Sequence, residues 1–197
     1  MKRLFAIMTV LIIVAAIPVM GQAQDEGSKP PPEIPAPAGA TVTTEMNVTR
    51  DQIMDLLPMY LNQSYPDLQI DPEKLDKALG TVERVQFAEM KLNGKYTAAD
   101  TLALFEKKVD GNRVIYNCGK DTPESGMLIL ALPQNSGYFA VAIKAEKNKS
   151  NKTTGAEIKA IRISGCPDIA KVIELIAPAI PQVIGKGFGE FTCELLK

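Results

Sequence analysis

The chain has 197 residues, 22 Lys and Arg against 23 Asp and Glu, and a net charge of −1. That balance argues against the clustered positive surface that nucleic acid requires. With no histidine at all, it cannot build a Ser-His-Asp or Cys-His nucleophile or the common histidine metal sites.

The N-terminus reads as an export signal over residues 1–23. Lys2 and Arg3 supply the positive start, Leu4 to Met20 is apolar, and Gly21-Gln22-Ala23 places small residues at the −3 and −1 positions. Cleavage would leave Gln24 first. The rival is an uncleaved anchor, since the apolar run is nearly long enough to span a bilayer. The small-x-small site and the polar stretch after it favour cleavage, leaving no stable membrane span. Removal takes away two cations and no carboxylate, so the mature chain is more acidic still. Residues 24–46 follow as a linker. Pro30, Pro31, Pro32, Pro35 and Pro37 crowd there with Gly27 and Gly39. The expectation is an extended, disordered spacer, with residues 47–197 as a single domain.

Thr49 to Gln52 fits a capping box, opening a helix with Ile53, Leu56, Leu57 and Tyr60 on its apolar side. Pro58 should kink or end it. Asp71-Pro72-Glu73 opens a second helix, lined by Leu75, Ala78 and Leu79 and stopped by Gly80. Thr81 to Leu92 reads as a strand. Val85 and Phe87 hold one phase and Met90 and Leu92 the other, a switch that a bulge near Ala88 would explain. After the Asn93-Gly94 turn, Thr97 caps a helix with Asp100 at N3. Ala98, Leu102, Phe105 and Val109 face inward, and Asp110-Gly111 ends it. Strands are expected at Arg113–Asn117, Met127–Leu132 and Tyr138–Ala145, the last two flanking a hairpin loop, Pro133 to Gly137. In the third, Phe139, Val141 and Ile143 alternate with Tyr138, Ala140, Ala142 and Lys144.

After a polar loop, Glu157 to Ala177 reads as strand, sharp turn and helix. Ile158, Ala160, Ile161 and Ile163 make the strand, interrupted by Lys159 and Arg162. Gly165 punctuates, and Pro167 and Asp168 suit a first helical turn. Ile169, Val172, Ile173 and Ile176 form one apolar stripe. This unit is expected to be the core on which the other elements pack. The tail carries Gly185, Gly187 and Gly189 among Ile180, Val183, Ile184, Phe188 and Phe191, a composition that suggests packing back on the domain. The fold expected is α+β: a mostly antiparallel sheet of about five strands, helices on one face, preceded by two short helices.

The stretch from about Gly80 to Ile176, ending in IRISGCPDIAKVIELI with MLILALPQNSGYFAVAIKAE before it, resembles a secreted bacterial family of unknown function. Its members end in an apolar strand, a glycine turn with an aliphatic residue, and an amphipathic helix. Cys166-Pro167 departs from the small polar residues expected after that glycine. The resemblance implies an α+β envelope protein and carries no catalytic residues.

Three cysteines, Cys118, Cys166 and Cys193, allow one disulfide with one thiol left over. Without histidine they do not make a zinc site. Cys166 has a possible mechanism, since a helix N-terminus would stabilise its thiolate; a disulfide or an inert buried thiol is the plainer reading. Glu83, Glu89, Asp100 and Glu106 sit where solvated faces are expected. Gly185–Gly189 lacks the strand–helix setting of a phosphate loop. Lys144, Lys147, Lys149 and Lys152 surround one loop, where an anionic envelope polymer could bind or water simply solvates them. No catalytic, cofactor or metal residues are assigned. The function expected is an exported, non-enzymatic binding or structural module of the bacterial envelope. Its partner would be an envelope protein, a polymer or a small ligand. The alternative is a thiol-dependent redox or scavenging protein acting through Cys166.

Overall fold

The computed structural model describes residues 34–64, 70–94, 97–109, 113–118 and 124–176. The expected signal peptide over residues 1–23, residues 24–33 of the expected linker, Asp110-Gly111 and the tail with Cys193 lie outside these. The linker expectation fails at its C-terminal end, because Ala40–Thr49 forms strand β1. Its sequence, ATVTTEMNVT, is rich in β-branched residues and suits a pleated edge despite having few large apolar groups. Ile34 and Pro37, just before it, are also buried.

Helix α1 spans Arg50–Ser64. Its capping box forms as expected: Thr49 N–H donates to Gln52 Oε1 at 2.9 Å, and Gln52 N–H reaches Thr49 Oγ1 at 3.5 Å. Pro58 lies inside the helix and does not end it. The ring removes one hydrogen bond, that to the Met54 carbonyl, while buried Ile53 and Leu57 anchor the flanking turns. Helix α2, Pro72–Leu79, starts at Asp71, whose carboxylate accepts from Glu73 N–H at 2.9 Å. Arg50 ties the two helices together. Its guanidinium donates to the carbonyls of Gly80, Val82 and Asp76 and pairs with the Asp76 carboxylate at 2.6 Å.

Strand β2 is Arg84–Asn93, and helix α3 is Ala98–Lys108. Strands β3 (Arg113–Cys118), β4 (Ser125–Ala131), β5 (Gly137–Lys147) and β6 (Thr153–Ser164) follow, then helix α4 (Ile169–Ile176). The sheet has six strands, not five, in the order β1-β2-β6-β5-β4-β3, every pairing antiparallel. Strands β3 to β6 form an antiparallel meander, closed between β4 and β5 by a 3₁₀ turn at Pro133–Asn135. Because β2 and β3 lie on opposite flanks of that meander, α3 must cross the sheet, and it lies over β4 and β5. β6 sits between β2 and β5, paired along nearly its whole length on both sides.

Helices cover both faces, which corrects the single covered face expected from sequence. One apolar cluster joins Val48, Val85, Phe87, Ile129, Ala140, Ile161 and Ile163 of the sheet to α1, α2 and Val172 of α4. The other joins Met90, Leu92, Leu128, Leu130, Phe139, Val141, Ile143 and Ile158 to Leu102 and Phe105 of α3, with Ile34. The bulge expected near Ala88 is not in β2 itself, which runs in unbroken register against β6 from Arg84 to Asn93; the irregularity lies in its partner β1, between Val42 and Thr44, opposite Glu89 and Met90. The two apolar phases of β2 are simply its two buried faces. Of the predicted α4 stripe, Val172 is buried; the side chains of Ile169, Ile173 and Ile176 lie outside the described residues.

Candidate functional site

The turn after β6 is held backbone to backbone. Gly165 N–H donates to the Ser136 carbonyl at 2.8 Å, and Thr81 N–H donates to the Cys166 carbonyl at 3.0 Å. Thr81 Oγ1 accepts from Cys166 N–H at 2.9 Å. The helix does not begin where the sequence suggested. Asp168 precedes α4 as its cap, its carbonyl accepting from Val172 N–H at 2.9 Å and its Oδ1 from Lys171 N–H at 3.3 Å. Hydrogen bonding to the Lys171 side chain and backbone holds the Asp168 carboxyl below its ordinary value. Cys166 therefore stands two residues before the cap, on a turn shaped by Gly165, and not at a helix N-terminus.

Cys166 is half-buried and keeps its thiol, whereas Cys118 on β3 is disulfide-bonded. The thiol neighbours Tyr138 of β5. Burial, and then the Cys166 thiol beside it, push the Tyr138 phenol above its ordinary 10.0; burial alone raises Tyr116. A group with a raised folded value contributes stability that is complete below the unfolded value and lost as pH rises through the folded one. Spectrophotometric titration at 295 nm should accordingly find Tyr116 and Tyr138 less than half ionised at pH 10. Tyr138→Phe should flatten the alkaline limb of the stability curve. Ionisation of every tyrosine by pH 10 would contradict this placement.

The four lysines singled out in the sequence gather at the β5–β6 end of the sheet, interleaved with carboxylates. Lys147 pairs with Glu124, and Lys91, close by, with Glu146 at 3.6 Å. Lys159 lies between Glu89 at 3.2 Å and Glu157 at 3.6 Å. Lys144 is half-buried on β5, while Lys149 and Lys152 are exposed on a loop that Asn148 organises. The Asn148 Oδ1 accepts from Ser150 N–H at 2.9 Å and Lys152 N–H at 3.0 Å. This is a mixed-charge surface, with little single-sign field to hold an anionic polymer.

A second polar place, not singled out in the sequence, lies on the α3-facing side of the sheet. Gln86 of β2 is opposite Arg162 of β6, and Arg162 is opposite Phe139 of β5. Alternation fixes the face, since Val85, Phe87, Ile161 and Ile163 all turn to the other cluster. Gln86 is 3% exposed, yet its Oε1 has no hydrogen-bond partner, and neither has the buried Nε of Arg162. Burial lowers the Arg162 pKa. The contrast with Lys159 is informative: three residues away on the same strand, it faces the opposite side and has two carboxylates. Asn117 of β3 also has an unmatched Oδ1, but its amide nitrogen donates to Glu106 of α3 at 3.5 Å. Asn47, beside Gln86 on β1, is exposed, so the row opens to water at that edge.

The fold thus defines a three-layer α+β domain, with helices on both faces of an open antiparallel sheet. No protein-family model and no curated protein matches the chain. Among the described residues no cluster of His, Cys, Asp and Glu could hold a metal ion, and no helix is long and apolar enough to cross a membrane.

Proposed function

We propose that this chain is an exported, non-enzymatic binding module of the bacterial cell envelope, holding its ligand at the Gln86–Arg162 row. The observation that carries the binding reading is the pair of unmatched polar atoms in that row. Buried polar groups in folded proteins are nearly always hydrogen-bonded, and leaving one unmatched costs about 1–3 kcal/mol. A recognition site is a place where such a cost is offset when the ligand arrives. The envelope reading rests on the leader, with Lys2, Arg3 and the Gly21-Gln22-Ala23 site, and on the proline-rich stretch behind it. The likeness of the stretch from about Gly80 to Ile176 to a secreted bacterial family points the same way.

Native mass spectrometry of the mature protein, purified from the envelope fraction of its own host, tests this reading. A bound small molecule on the wild type that is missing from Arg162→Met supports it. Two bare proteins of unmodified mass would remove its basis. The thiol-dependent alternative is favoured by one observation: Cys166 keeps its thiol next to Tyr138 while Cys118 is already oxidised. Rapid reaction of Cys166 with a thiol reagent in the folded protein would support it, and reaction only after denaturation would dismiss it.

A further inference from the structure

We propose that Gln86 and Arg162 recognise a carboxylate on a small organic molecule, entering from the β1 side of the sheet. The inference rests on the binding reading above and names the chemistry of its ligand.

The argument starts from charge. Arg162 is half-buried on a strand that is paired on both sides. It forms no ion pair with any described carboxylate, and its Nε–H is buried without an acceptor. An arginine in this state is unusual, because guanidinium stays charged at any physiological pH and its burial is normally matched by a carboxylate or phosphate. The neighbouring groups do not supply one. Phe139 on one side is wholly buried and stacked near Phe105, ring centroids 5.8 Å apart. Gln86 on the other side is neutral, and the amide beyond it belongs to Asn47.

Gln86 fits an anion in one of its two amide orientations. Turned by half a rotation about its last bond, it presents N–H₂ where Oε1 now stands. Arg162 Nε–H and a Gln86 N–H would then converge as two donors from adjacent strands. Two donors and one positive charge match the two oxygens and single charge of a carboxylate. A tetrahedral dianion such as sulfate would bring a second negative charge into this half-buried place. The route in is given by Asn47, which continues the row and is exposed, while Phe139 closes the opposite end.

The test reads the arginine itself. In the ¹⁵N spectrum of the full mature protein near pH 6.5, the Arg162 Nε–Hε resonance is assigned by its loss in Arg162→Gln. Sodium acetate, sodium sulfate and sodium chloride are then titrated at equal ionic strength. The proposal expects a saturable shift with acetate, at least about tenfold weaker with sulfate, and none with chloride. The backbone shifts around Gln86 should follow the same curve in the wild type and vanish in Arg162→Gln. Equal responses to all three salts, or none, would overturn it. A molecule found on the native protein and lost in Arg162→Met, with no response to acetate, would keep the binding reading and dismiss the carboxylate.

Discussion

Gly165→Ala is expected to destabilise the protein by more than about 4 kcal/mol, enough to lower the unfolding midpoint by about 8–16 °C in a domain of this size. The turn brings two backbones into contact where no side chain can intervene. A Cβ on Gly165 would lie 1.9 Å from the Thr81 carbonyl oxygen, 2.5 Å from its carbon and 2.8 Å from the Val82 Cα. These are main-chain atoms, so relief would have to break the bonds by which Thr81 and Glu83 hold the turn. The residue also sits at φ +90, which costs an alanine about 1–2 kcal/mol by itself. Gly39→Ala is the control. Gly39 has φ +80 with nothing within 4 Å of a built Cβ, so it should show the conformational cost alone. Equal losses at the two positions, measured from thermal midpoints, would mean that the close approach of Thr81 to Gly165 is wrong.

Phe139→Ala should cost about 3–5 kcal/mol, the range for removing a large aromatic side chain from a core that cannot collapse around the gap. Phe139 is 0% exposed and packs between the sheet and α3, with Phe105 tilted 30° against it. Leu104→Ala, one residue from Phe105 on the outer side of α3 and 41% exposed, should change stability by less than about 0.5 kcal/mol. The pair tests the second buried face of the sheet. Denaturant midpoints at equal slope would read it, and similar small losses at both positions would return α3 to the surface.

Much of the architecture is written locally. Asp71-Pro72 and Thr97 with Asp100 mark helix starts because side chain and backbone meet within three residues. The alternation through Tyr138 and Phe139 likewise needs only one strand. What was not legible is what depends on partners far along the chain. Val85 and Phe87 followed by Met90 and Leu92 look like a broken period when one face is assumed wet; with α3 on the far side both phases are core. β1 hides because an edge strand needs little apolar surface, and its prolines and glycine precede it; the run of Thr and Val was the available signal. Pro58 shows tertiary packing overriding a local breaker.

The candidate site was less legible still. Arg162 reads as an interruption of an apolar strand, no different from Lys159. Strand alternation puts them on opposite faces. Only the register of β2 and β6 reveals that Lys159 meets Glu89 while Arg162 meets Gln86. Cys166 was visible by residue type, but its setting was not, since the helix start depends on Asp168 reaching Lys171.

The most direct test of the central claim is the stability of Gln86→Leu combined with Arg162→Met, measured by denaturant unfolding without added ligand. If the row is kept for recognition, removing its unmatched polar atoms and buried charge should stabilise the protein by about 1–3 kcal/mol with an unchanged slope, as when buried ionic groups give way to apolar ones of similar shape. A loss of about 1 kcal/mol or more would show that the pair holds the sheet together, contrary to a site that waits for a ligand.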